Sequence, residues 1–265
     1  MIVVVAGLLL VGGEVVKRQG HTGRQTDSSD SSESPTITAN FVDLDKIAAI
    51  TKFRSCQGHI VVPQDGTETR SNMKHYFYLK KAYTTTPKQV ELYAPFDGFV
   101  SDIFAGDKDF SDRNPNSRDV SISKKKGFTS RGSWNMTILH IEPRDGLEEG
   151  NAVKAGELLG YVALEKIPPY YAFDVVYAKT GIIPKKVDNW TSPYAALDSV
   201  FNHMTDSAIA AYSVFGADSA EDFVIAKATR DAAPCQYGED GRQFSRERNL
   251  DWDNDWLGNL NDAVN

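Results

Sequence analysis

Five histidines are spread along the 265 residues, and three of them, His59, His75 and His140, fall in or beside segments rich in strand-forming residues. Asp65, Glu68, Asp97 and Asp174 place carboxylates in the same part of the chain. Imidazole nitrogen with carboxylate oxygen is the donor set of a catalytic zinc ion, which takes three protein ligands and keeps a fourth position for water. Water held there loses its proton near neutral pH and attacks a carbonyl that the metal polarises. On this chain the ligands would be His59, His75 and Asp174, with His140 as base or transition-state stabiliser. A lone histidine in a β core is more often a hydrogen-bonded structural residue, so this chemistry requires the three to converge.

Other residues suggest simpler roles. Cys56 and Cys235 are the two cysteines, and an even count in an oxidising compartment favours a disulfide. Closing so long a loop stabilises by roughly 4–5 kcal/mol on chain-entropy grounds. Pro168-Pro169-Tyr170-Tyr171 places the rings of Tyr170 and Tyr171 where they could line a groove. Lys124-Lys125-Lys126 reads as a solvated hairpin tip, Arg230-Asp231 as an ion pair or helix-end contact, and Asp251-Trp252-Asp253-Asn254-Asp255 as a solvated acidic turn. The last begins like a calcium loop but has Trp256 where the loop needs glycine. Asn135-Met136-Thr137 and Asn189-Trp190-Thr191 are glycosylation sequons in a eukaryotic setting.

A net charge of −7 gives no global attraction to nucleic acid or to an anionic membrane. The apolar run MIVVVAGLLLVG is too short to span a bilayer and fits the apolar region of a signal peptide or a short anchor. It predicts export to a secreted, extracellular or periplasmic location. Residues 1–16 are thus read as the leader and 17–40, rich in Ser, Thr, Asp and Gly, as a disordered linker.

The elements that must position the histidines follow. HYFYL, QVELYAP, GFVSDIF, DVSIS, WNMTILHIEP, LLGYVAL and YYAFDVVYA are short runs of β-branched and aromatic residues between Gly, Pro, Asp and Asn clusters. They predict a mainly β fold with C-terminal helices: an antiparallel β sandwich or barrel over residues 41–185, densest from Met73 to Val176. FVDLDKIAAI is expected to alternate and then turn helical or irregular. Residues 186–265 form a helical extension and tail, with helical spacing at Tyr194–Phe201 and Asp206–Phe215 and a helix start at Ser219 with Asp222 three residues on. Phe244, Trp252 and Trp256 would anchor the tail.

Two segments carry a resemblance. VELYAPFDGFVSDI (90–103) runs a strand into Ala94-Pro95, turns at Asp97-Gly98 and re-emerges, and HIEPRDGLEEGNAVKAGELLGYV (140–162) sets glycines at turns with Val153 and Leu159 as apolar plugs. Together they resemble the duplicated hybrid motif shared by biotinyl/lipoyl carrier domains and lysostaphin-like zinc endopeptidases. In that peptidase family a His-x-x-x-Asp motif and a late His-x-His supply the zinc ligands. The resemblance sets the first motif on His75–Leu79, the assisting histidine on His140, and the late strand on Tyr170–Val175. Leu79 and Ala172 then stand at ligand positions and Tyr170 at that of a catalytic histidine. Met73-Lys74 is superficially similar to the biotin-carrying pair, but only one copy of each half-motif is complete. The resemblance therefore implies a degenerate member without a cofactor: an exported, non-catalytic binding or structural module for a glycan, peptide or protein partner. The alternative is a metal-dependent hydrolase that holds zinc through rearranged His and carboxylate ligands.

Overall fold

The computed structural model describes residues 34–105, 114–126, 132–164 and 172–263. Among the described residues eleven strands join one antiparallel sheet: β1 (Ile47–Thr51), β2 (His75–Leu79), β3 (Glu91–Tyr93), β4 (Gly98–Phe104), β5 (Arg118–Ser123), β6 (Trp134–Pro143), β7 (Ala152–Val153), β8 (Leu158–Val162), β9 (Ala172–Val187), β10 (Trp190–Asp198) and β11 (Trp256–Gly258). The order is β11-β1-β2-β9-β6-β5-β4-β7, with β10 also on β9, β8 on β6 and β3 on β8. The path runs from β11 to β7 and does not close, so the fold is mainly β and sandwich-like rather than a barrel.

Gly150 and Gly156 turn the chain with φ of 83° and 79°, as predicted, whereas Gly98 and Gly160 lie within β4 and β8. A Cβ on Gly160 would sit 2.2 Å from the Glu142 carbonyl oxygen, and one on Gly98 would sit 2.5 Å from that of Ser123. Only glycine lets these strands approach so closely. Leu159 and Val153 drop into the core beside them.

Strand alternation builds one apolar face. On β2 His75, Phe77 and Leu79 are buried while Tyr76 and Tyr78 are half-exposed, the period of two expected of a pleated strand. Phe77 stacks on Phe173 at 4.8 Å between ring centroids and meets Phe41 edge-on at 5.4 Å. Burying each such ring contributes roughly 1.5–3 kcal/mol.

The C-terminal segment closes this face with short helical turns. Asp206–Ile209 and Lys227–Ala232 are α-helical; Val200–His203, Ala210–Phe215 and Ala220–Phe223 are 3₁₀. The expected start at Ser219 is a capping box with Asp222. These turns stack Phe201 on Phe223 at 3.6 Å and set Tyr212 against Phe201 at 5.0 Å.

Three local expectations change. Ile47–Thr51 is a fully buried strand after a single 3₁₀ turn, not a helix. Tyr194–Leu197 has helical spacing but lies in β10, paired with β9 through a shifted register, and the free edge of β9 supplies hydrogen bonds that a lone helical turn lacks. The linker expected to reach residue 40 is ordered where it is described, from Ser34 on. Ile37 is fully buried, its N–H donates to the His203 carbonyl at 2.7 Å, and Thr38 and Ala39 donate to the Pro95 carbonyl. The leader and the rest of the linker lie outside the described residues.

A smaller apolar cluster of Phe53, Cys56, Ile60, Val62, Met73, Cys235 and Phe244 lies beside the main core. The Cys56–Cys235 disulfide is present across 179 positions of sequence. The expected solvated turn at Asp251–Asp255 is solvated only in part. Asp255 is buried, pairs with the buried Arg230 guanidinium at 3.1 Å and accepts the Cys56 N–H. Arg230 in turn donates to Cys56 Sγ at 2.8 Å. Burial pushes the Asp255 carboxyl up to about 6, and these two donors only partly oppose it. Among the described residues no helix is long and apolar enough to cross a membrane.

Candidate functional site

The sheet face away from the main core carries the polar chemistry. In the register of β2 with β9, Tyr76 faces Asp174 and Tyr78 faces Ala172, so these four share that face. Lys74, two residues before Tyr76, joins them. Its ammonium lies 2.8 Å from Asp174 Oδ2, and both side chains are almost fully buried. The main chain of Lys74 is fixed by Asn72, whose Oδ1 accepts the Lys74 N–H at 2.8 Å while its amide donates to the Gln57 carbonyl at 2.7 Å. The Lys74 ammonium also lies 5.7 Å from the centre of the Tyr76 ring.

A bulge brings in His140. On β5 Arg118 pairs with Ile141 and Val120 with Ile138, so Leu139 and His140 together oppose Asp119 alone. His140 takes a left-handed backbone, φ 64°, and donates its N–H to Asp119 Oδ1 at 3.2 Å. Its Nε2 then lies 3.5 Å from Asp174 Oδ1. His59 bonds the Ile60 carbonyl through Nδ1 at 3.0 Å and is close enough for its charge to act on Asp174.

The electrostatics favour a closed ion pair. Burial opposes charge on Asp174, but Lys74, His140 and His59 outweigh it and hold the carboxyl below its usual range. Burial opposes charge on Lys74 too, and Asp174 overcomes it, so the amine stays protonated well above its ordinary range. Burial pushes the Tyr76 phenol up to about 12 and that of Tyr194 upward, so both stay neutral donors. Beyond Asp174 the face continues as a row of hydroxyls and an amide. Ser121 Oγ is 2.7 Å from Thr137 Oγ1, which donates to Asn135 Oδ1 at 3.3 Å, and the Asn135 amide reaches Thr180 Oγ1 at 3.4 Å. Asn135, a sequon residue, is buried in this row.

The structure divides the proposed ligands. His75 lies on the opposite face, in the core. Its Nδ1 bonds the Thr51 carbonyl at 2.7 Å and its Nε2 the Ser199 hydroxyl at 3.0 Å, between Phe53 and Phe201. Burial lowers its pKa to about 4, against the pull of the Thr51 carbonyl and Asp198, so the ring is neutral. His59, His75 and Asp174 therefore do not form one ligand set: strand alternation carries His75 away from the other two. Leu79 is buried in the core as well, so the face that a His-x-x-x-Asp pair would occupy carries Lys74 and Tyr78 instead. Asp65 bonds Thr67 within its own turn and Asp97 pairs with Lys154 at 2.8 Å, while Glu68 forms a fork with Arg54. Among the described residues no three His, Cys, Asp or Glu side chains come together as a metal-ligand group. The donors that remain do not fit zinc, because the carboxylate nearest to two histidines is already neutralised by an ammonium. Tyr170 and Tyr171, read as groove aromatics, lie outside the described residues.

Sequence reasoning missed Lys74 as the partner of Asp174, and it missed Asp119. The alternation of His75, Phe77 and Leu79 against Tyr76 and Tyr78 was the available signal, since it already assigns the histidine to the apolar side.

No protein-family model matches this chain, and no curated protein matches it. Among solved structures it is similar to a zinc-containing peptidase from Vibrio cholerae, with 12% identity, a TM-score of 0.32, and 54% of this chain covering 37% of that one. It is also similar to lysostaphin, with 13% identity, a TM-score of 0.29, and 53% of this chain covering 51% of that one. The chain thus spans about half the length of lysostaphin and little more than a third of that of the zinc-containing peptidase.

Proposed function

We propose that this chain is an exported binding module whose polar sheet face, itself non-catalytic, takes a glycan, peptide or protein partner. The Lys74–Asp174 pair carries the reading. A permanently charged ammonium on Asp174 supplies the positive charge that a metal would bring, and it offers no open coordination position. Around it stand the half-exposed neutral donors Tyr76 and Tyr194, backed by the buried Ser121–Thr137–Asn135 row. Such groups bond sugar hydroxyls and peptide amides without needing charge. Export rests on the apolar leader and on the disulfide, which persists in oxidising compartments.

The competing reading is a metallohydrolase built on His59, His140 and Asp174, and it draws on the nearness of both histidines to that carboxylate. Metal content of the purified chain separates the two. The expected result is less than one-tenth equivalent of zinc and the same melting temperature with and without a chelator. Stoichiometric zinc that is lost in His140→Ala and His59→Ala would overturn the binding reading. An array of oligosaccharides and short peptides, read against Thr137→Val and Tyr76→Phe, then identifies the ligand class.

A further inference from the structure

On the core side of β9 a second set of reactive groups comes together. Ser34 Oγ lies 3.0 Å from His203 Nδ1, and His203 Nε2 lies 2.9 Å from Asp198 Oδ2. We propose that Ser34, His203 and Asp198 form a nucleophilic relay, and that Ser34 is acylated by small activated esters.

The geometry meets the requirements for such a relay: a nucleophile within hydrogen-bond reach of a base, and a carboxylate that orients the base. Asp198 is itself fixed, accepting the Ser199 N–H at 2.7 Å and the Asn202 amide at 2.8 Å. Burial pushes its carboxyl up, but the bonds from His203, Asn202 and Ser199 outweigh it and keep Asp198 ionised. An ionised Asp198 accepts the Nε2 hydrogen, so the lone pair of the neutral ring lies on Nδ1, facing Ser34. The ring is held in that orientation by stacking on Tyr177 at 4.2 Å, with Trp134 tilted at 6.0 Å.

The main chain ties the two ends of the relay together. Ile37 donates to the His203 carbonyl at 2.7 Å and Thr205 to the Ile37 carbonyl at 2.9 Å, which fixes the segment that carries Ser34 beside His203. Tyr177 donates its one hydroxyl hydrogen to the Pro35 carbonyl at 2.8 Å, and its oxygen lies 2.6 Å from Ser34 Oγ as a second acceptor for the Ser34 proton beside His203 Nδ1. Unlike the Lys74–Asp174 pair, Ser34 is half-exposed and His203 and Asp198 keep 17% and 36% of their side chains in contact with solvent, so a small substrate reaches them.

The step balances within the chain. Ser34 Oγ bonds to the ester carbonyl carbon while its proton passes to His203 Nδ1. The tetrahedral adduct then expels the alcohol oxygen, which takes that proton and leaves acyl-Ser34. Water attacks the acyl group, His203 again carries the proton, and release of the acid restores Ser34. Ser34 and His203 touch the reacting atoms; Asp198 is a positioning residue.

The test treats the full chain with a fluorophosphonate probe and maps the adduct by peptide mass spectrometry, with p-nitrophenyl acetate as the turnover substrate. One adduct on Ser34, absent in Ser34→Ala, is expected. His203→Gln should slow labelling by about 100-fold or more. Because His203 packs on Tyr177, its melting temperature is checked, and Asp198→Asn, with partial recovery in Asp198→Glu, gives a second route. No adduct on Ser34, or unchanged labelling in a folded His203→Gln or Asp198→Asn, overturns the proposal. Binding on the polar face is unaffected by either outcome, because Ser34 lies on the other side of the sheet.

Discussion

Two neighbouring residues, Lys74 and His75, end on opposite faces of the same sheet, and their surroundings differ in kind. His75 enters an apolar core in which both ring nitrogens are bonded and the charge is suppressed. Lys74 enters a polar face in which burial is balanced by a full opposite charge on Asp174. The core face stabilises through area removed from water. The polar face gains little net stability from its ion pair, since desolvating two charges costs about as much as their attraction returns. The ion pair is therefore not what makes the polar face stable, which fits the binding role proposed for it.

Substitutions on the two faces test that contrast. Phe77→Ala should destabilise most, by about 3–5 kcal/mol in denaturant titration, because the cavity it leaves between Phe41 and Phe173 cannot collapse. Asp174→Ala should cost roughly 3 kcal/mol by leaving the Lys74 ammonium buried without its carboxylate. The double variant Lys74→Met/Asp174→Leu should return to within about 1 kcal/mol of wild type, and a double variant as unstable as the single one would show that the pair is structural after all. A further effect is one of pH. His75 binds a proton near 6.5 when unfolded and near 4 when folded, so the stability it contributes is complete above 6.5 and is lost as pH falls toward 4. That amounts to about 3 kcal/mol across the window. His75→Gln should flatten this part of the stability-against-pH curve, and an unchanged slope would place the acid sensitivity elsewhere.

Much of the fold was legible in the sequence because its signals are local. HYFYL and WNMTILHIEP coincide with β2 and β6, and Gly150 and Gly156 turn the chain as expected. The disulfide followed from counting cysteines, and the capping box from Ser219 and Asp222. What stayed hidden depends on partners distant in sequence. Tyr194–Leu197 has helical spacing, and only the open edge of β9 decides for a strand. The bulge that turns His140 toward Asp174 depends on how many residues of β5 oppose it, which no window along β6 contains. Ser34 looked like linker because the His203 and Asp198 that hold its neighbourhood lie more than 160 positions away.

The bridge from Cys56 to Cys235 has one further consequence. It encloses every strand from β2 to β10 within a single covalent ring. A protease that cuts once anywhere inside this ring releases no fragment: it produces a nicked chain whose two pieces remain joined. A surface loop inside the ring can then be severed while the bridge keeps the two pieces of the sheet together.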